Sequence, residues 1–205
     1  MLILRQGTCA ELIVRKSRFL AEATPVASPE VARGLQRERK RVYADANHVV
    51  FAFICGPQGG VTGCSDDGEP SGTAGRPVME VLKGSGITNV LLTVTRWFGG
   101  TLLGTGGLVR AYTESAQLAL ADASTAELVP LTRFTLALTY LQYETVRRRL
   151  AEFAVVVTGE EFSAGVTLSG ELPTANFVAF SSTVRDLTNG AAIPQPIQTE
   201  ESVMP

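Results

Sequence analysis

The stretch TNVLLTVTRWFGGTLLGTGGLVRAY, residues 88–112, decides the reading of the fold. Thr88 to Phe98 is apolar and β-branched over the length of one strand, Gly99 to Gly107 is rich in turn formers, and Leu108, Tyr112, Ala116 and Leu120 recur at helical spacing. The pattern predicts a strand, a glycine-rich loop and a helix that starts near Thr105. Exposed N–H groups at such a helix start, helped by the helix dipole, can hold a phosphate or carboxylate. The spacing from Gly99 to Gly104 imitates a P-loop, but Thr105 stands where its lysine belongs, and the glycines do not make GxGxxG. Arg96 and Arg110 flank the loop, so the candidate anion site comprises Arg96, Arg110 and the backbone of Gly104, Thr105, Gly106 and Gly107, with Arg76 as a further cation.

Just upstream, SDDGEPSGTAGRP (65–77) places Asp66, Asp67 and Glu69 within four positions. Like charges this close repel, so something positive should compensate them: Arg76, Arg96, Arg110, a helix N-terminus or a divalent cation held by Asp66, Asp67 and Glu69. The plainer alternative is that Asp and Ser cap turns and the helix opening at Pro77. His48 is the single histidine, which excludes a multi-histidine metal centre within one chain. No GxSxG elbow is present, and no residue is assigned a catalytic role. If the chain is an enzyme, Asp66, Asp67, Glu69 and His48 are its acid–base candidates.

Working outward, Glu11 to Val26 reads as two strands broken at Lys16 and Ser17. Ser28 and Pro29 open a helix to about Arg41, expected to bury Val31 and Leu35 and to carry a basic face of Arg33, Arg37, Arg39, Lys40 and Arg41. His48 to Cys55 is a buried strand that ends at the turn signal Gly56-Pro57. Residues 122–131, where periodicity fades and Pro130 interrupts, mark a boundary between domains at 1–128 and 129–205. Beyond it come a strand (132–139), a helix (141–153), two strands around a turn at Gly159 to Ser163, a helix from Pro173 to about Thr188 ended by Asn189-Gly190, and a strand near Ile193 to Thr199. This β-α-β-β-α-β order is ferredoxin-like.

With 205 residues, 18 basic and 20 acidic, the net charge is −2, so any RNA contact must be local. Residues 132–205 carry five basic and eight acidic side chains, a balance of −3, and make a poor electrostatic match to RNA. Cys9, Cys55 and Cys64 form no CxxC pair, which fits a reducing compartment. Apolar runs such as Val49 to Cys55 fall short of a membrane span, and Met1 to Leu4 has no basic region before it, so a cytoplasmic location with no membrane partner is expected.

Ser17-Arg18-Phe19, the segment Asp45 to His48, SDDGEPSGTAGRP and residues 88–112 together resemble the IMPACT/YigZ family over about residues 15–122. The resemblance implies an α+β chain: a first domain like the second domain of ribosomal protein S5, and a ferredoxin-like second domain similar to the C-terminal domain of elongation factor G. Eukaryotic relatives are implicated in translational control through protein partners. Family members commonly carry a second histidine after the one matching His48, where this chain has Val49. The expected function is a non-enzymatic RNA- or ribosome-associated binding protein, a translation regulator that takes a phosphate-containing ligand or binds translation proteins. The alternatives are an enzyme acting on a small phosphorylated or nucleotide-like substrate at the acidic and glycine-rich loops, and a protein-interaction module. No cofactor is assigned.

Overall fold

The computed structural model describes residues 1–56 and 58–203, so Pro57, half of the expected Gly56-Pro57 turn, lies outside the described residues. The chain divides into two compact units, Met1–Glu127 and Leu128–Pro205.

The first unit contains β1 (Leu2–Leu4), β2 (Thr8–Val14), β3 (Ser17–Pro25), α1 (Pro29–Val42), β4 (His48–Cys55), β5 (Val61–Ser65), α2 (Gly75–Ser85), β6 (Val90–Trp97) and α3 (Thr105–Ala121). Strands run in the order β2-β3-β6-β4-β5, every neighbouring pair antiparallel. β6 is apolar at nearly every position because both faces of the sheet are covered. Val90, Leu92 and Val94 pack with Phe19, Val50 and Leu82 beneath α2 and α3, and Leu91 packs with Phe53 and Ala32 beneath α1. Each such side chain removed from water contributes about 1.5–3 kcal/mol.

Ser28 caps α1, its Oγ accepting from the Val31 N–H at 3.4 Å, with Pro29 opening the helix. Of the two residues expected to be buried, Leu35 packs against the cluster of Phe53 and Leu91, whereas Val31 is 45% exposed and Ala32 is fully buried beside it. The small side chain lets α1 lie close over Phe53 and Leu91, an advantage that hydrophobicity alone does not report. α2 begins two residues before Pro77, at Gly75, where a Cβ would stand 2.7 Å from the Ser65 backbone. Strand β5, which follows the turn signal at Gly56, pairs with β4 from Phe51↔Ser65 to Cys55↔Val61.

The second unit is built from β7 (Thr125–Leu138), whose first residues belong to the first unit, then α4 (Tyr140–Arg147), β8 (Val156–Phe162), β9 (Val166–Pro173), α5 (Thr174–Leu187) and β10 (Gln195–Val203). The order β10-β7-β9-β8, antiparallel throughout, is ferredoxin-like. Phe134, Leu136, Leu168, Leu172 and Phe180 are its core. Three details differ from expectation. Pro130 does not interrupt: it sits inside β7 opposite Glu201, where pairing with β9 has not yet begun, so its missing N–H costs no ladder bond on that side. The β8–β9 turn closes at Ser163 and Gly165, and Gly159 lies within β8 beside a register irregularity. The expected helix over 141–153 stops at Arg147 and resumes as a single 3-10 turn at Leu150–Phe153.

Candidate binding cleft

Phe19, Arg96 and His48 stand in direct cross-strand register on β3, β6 and β4, side by side at one end of the sheet on the face that α2 and α3 cover. Arg96 is 6% exposed. Its guanidinium lies 5.5 Å from the Phe19 ring and donates through Nη1 to Glu69 Oε1 at 2.7 Å. The same Glu69 oxygen accepts from the Tyr112 hydroxyl of α3 at 2.7 Å. Burial, followed by the charge of the Glu69 carboxylate, pushes the Tyr112 phenol well above its usual range. Arg96 therefore neutralises a buried carboxylate while also lining the cleft.

The three carboxylates of residues 65–77 go three separate ways. Asp66 accepts from the N–H groups of Gly72 (2.8 Å), Ala74 (3.1 Å) and Gly75 (2.7 Å), and so caps α2 from a distance. Burial raises its carboxyl pKa, but these three bonds outweigh that and hold it below the usual value. Asp67, in a left-handed conformation at φ 47°, accepts from the Val49 N–H at 2.7 Å and pairs with Lys40. Glu69 alone turns inward. The expected cation at Asp66, Asp67 and Glu69 is thus corrected: among the described residues no group of three His, Cys, Asp or Glu side chains could hold a metal ion. Nor are Asp66 and Asp67 free to act as bases, because backbone donors and Lys40 occupy them.

His48 Nδ1 lies 2.8 Å from the Asp67 carbonyl, which can only accept, so this nitrogen carries a proton. Nε2 faces Glu69 Oε2 at 3.9 Å. Both line a cleft of about 450 Å³ together with Phe98, Leu102, Gly104 and Thr105. The acidic and glycine-rich loops accordingly meet in space. Gly104 adopts φ 71° and leads into α3, whose first turn has no side-chain cap.

Two supports fix the glycine-rich loop. Ser17 Oγ accepts from the Gly99 N–H at 3.2 Å, and a Cβ on Gly99 would stand 2.0 Å from the Lys16 backbone. Asn47 Oδ1 accepts from the Phe98 N–H and Asp45 Oδ2 from the Trp97 indole, both at 2.8 Å. Arg15 and Lys16 form the two-residue turn beneath the loop, with Arg15 donating to the Leu102 carbonyl at 3.4 Å. Arg110 is exposed and donates to the Gly106 carbonyl at 3.3 Å. Arg76 lies away from the cleft, in a separate groove between α2 and α3.

Sequence reasoning missed Tyr112 as a partner of Glu69, and missed Arg15 as a cation that reaches the cleft-lining Leu102. Helical periodicity marks Tyr112 only as core, and nothing local ties a hairpin turn to a loop more than eighty residues away. Position 49 also faces away from His48. Neighbouring strand residues point to opposite faces, and Val49 is buried on the α1 side, so a histidine there would not join His48 in the cleft.

A five-stranded sheet with a cleft at the start of α3, followed by a ferredoxin-like unit, defines a two-unit α+β protein. Residues 15–120 match the Impact N-terminal domain, and residues 136–191 match a domain of unknown function, DUF1949. The chain belongs to the IMPACT family. It is 34% identical over 180 residues to the IMPACT family member YigZ of Escherichia coli, covering 87% of this chain and 88% of that one. A family member from Haemophilus influenzae is 33% identical over 202 residues, 98% of each chain. Protein IMPACT of Mus musculus is 34% identical over 96 residues, 44% of this chain and 29% of its own length. A solved structure titled as that of a hypothetical protein superposes with a TM-score of 0.67 at 33% identity, over 96% of this chain and 97% of that one. The expected α+β fold is borne out, with an Impact N-terminal domain followed by a unit of ferredoxin-like strand order. Among the described residues no helix is long and apolar enough to cross a membrane.

Proposed function

We propose that this chain is a translation-associated binding protein that takes single-stranded RNA at the cleft of its first unit. The observation that carries the reading is the uncapped first turn of α3 opening beside Phe98 and Leu102, which are 44% and 80% exposed, with Arg15 and Arg110 bonded to the Leu102 and Gly106 carbonyls of the same loop. Backbone N–H groups and arginines suit phosphates, and an exposed aromatic face suits an unstacked base. The basic rim is local, as a net charge of −2 requires. The translation setting rests on family membership.

A second reading is an enzyme on a small phosphorylated or nucleotide-like substrate. It is favoured by His48 Nε2 and Glu69 Oε2 sharing the cleft, and its acid–base groups would be those two rather than Asp66 or Asp67.

Titration of single-stranded RNA against salt tests the first reading, comparing wild type with the Arg15→Ala, Arg110→Ala double variant. Arg96 is left in place because removing it would strand Glu69. Affinity that falls with salt, with a slope reduced by up to about two in the variant, is expected. Absence of RNA binding at low salt would overturn the reading.

A further inference from the structure

We infer that the RNA strand does not end at the cleft but continues along one flank of α1, its phosphates held by Arg41, Arg37 and Arg33. This rests on the RNA reading and gives the bound strand its path and length. Arg33, Arg37 and Arg41 recur at four-residue spacing and so form one stripe. Two contacts fix the direction in which it faces. The Arg33 guanidinium lies 5.6 Å from the centre of the Phe53 ring on β4, and Lys40, beside Arg41 in the last turn, pairs with Asp67. Asp67 is followed by Gly68 and Glu69, which line the cleft, so the Arg41 end of the stripe adjoins the cleft's acidic loop. Eight residues at a rise of about 1.5 Å set Arg33 and Arg41 about 12 Å apart along the helix.

Arg37 and Arg41 are exposed, and neither has a hydrogen bond or ion pair among the described residues. On the same helix Arg39 and Lys40 do find carboxylates, Glu22 and Asp67. Like charges four residues apart on a helix repel, and an anion laid along the stripe removes that cost. The floor beside the stripe is a separate observation. Val61, Gly63 and Ser65 of β5 stand opposite Cys55, Phe53 and Phe51 of β4 and share the sheet face that α1 packs on. Helix α1 does not reach across them, for Val61 is 47% exposed and Phe51 is only half-buried. A Cβ on Gly63 would stand 2.5 Å from the Phe53 ring, so glycine is what lets that ring lie against β5. A half-open aromatic floor beside a row of guanidinium groups suits a single strand, whose backbone follows cations while its bases rest on aromatic side chains. Continuity with the cleft favours the strand bound there over a separate acidic peptide.

The test titrates fluorescently labelled tetrauridylate, short enough for the cleft alone, and dodecauridylate over a range of salt. Wild type is compared with the Arg37→Ala, Arg41→Ala and the Arg37→Lys, Arg41→Lys double variants. Both positions are exposed helix sites that alanine suits, so the fold is kept. For the dodecamer the alanine variant should lose affinity, with a salt slope lower by about 1.4, two phosphate contacts at about 0.7 each on a single strand. The lysine variant should keep the slope, and the tetramer should bind both variants as it binds wild type. An unchanged dodecamer slope in the alanine variant would overturn the inference and spare the RNA reading, since wild type still binds. An equal fall for the tetramer would mean attraction at a distance rather than a contact path, and would overturn it too. Stripe-dependent binding of a polyglutamate peptide with an unchanged RNA slope would give the flank to an acidic protein, again against the inference. If neither oligomer binds at low salt, the RNA reading and this inference fail together.

Discussion

Glu69 and Arg96, one from a loop and the other from the central strand β6, meet at 2.7 Å with side chains only 3% and 7% exposed. A buried pair of this kind adds little net stability over an apolar pair, but removing one partner leaves a buried charge unmatched. Glu69→Ala should destabilise the first unit by about 3–5 kcal/mol. The double variant Glu69→Leu, Arg96→Met should recover most of that loss in urea unfolding. A Glu69→Ala protein with an unchanged midpoint would mean that the pair does not organise the cleft.

Tyr112 is fully buried, and its phenol stays protonated in the fold while the unfolded chain ionises near pH 10. Its folded pKa is raised, so the stability it contributes is complete below about pH 10 and is lost progressively as pH rises above that value. The Tyr112→Phe variant should be less stable near neutrality by about 1.5–3 kcal/mol, for loss of a bond to a charged group, and should decline less steeply at alkaline pH. Thermal unfolding from neutral to strongly alkaline pH measures both effects, and parallel curves would refute the assignment.

Asp66 behaves in the opposite sense. Its folded carboxyl is held below the usual value, so its contribution is present above about pH 4 and is lost as pH falls through the folded pKa. Asp66→Ala removes the remote cap of α2 and should cost about 1–2 kcal/mol at neutral pH. The gap between variant and wild type should narrow on acidification. A gap constant down to pH values well below the usual carboxylate range would show that the charge is irrelevant.

The turn between β2 and β3 places Arg15 at φ 45° and Lys16 at φ 67°, a conformation that favours an asparagine followed by a glycine. The double substitution Arg15→Asn, Lys16→Gly should raise stability by about 1 kcal/mol. It should also weaken RNA binding, because the basic rim goes with the strain. Denaturation and binding measured on one preparation separate the two effects, and a variant that gains stability with full affinity would remove the turn from the site.

The elements with strong local signals were legible in the sequence: the apolar runs of β4 and β6, the Ser28-Pro29 start of α1, and the glycine-rich entry to α3. Asp66, Asp67 and Glu69 were legible as a cluster but not as three separate tasks. Their directions follow from backbone twists at Asp67 and Gly68 and from donors on distant elements. Val31 against Ala32 was lost for a related reason: periodicity reports a stripe, whereas the depth available beneath α1 depends on the strands it covers. β5 went unread because a short strand with few apolar residues owes its state to the neighbour it pairs with.

Ser17, His48, Glu69, Arg96 and Tyr112 come from five segments, and no two of them adjoin in the chain. During synthesis none of the earlier four can take its final place until Tyr112 has left the ribosome and α3 has docked. A nascent chain therefore carries its motifs for a time without carrying the cleft. Assembly of this five-residue cluster is therefore a property of the finished first unit alone.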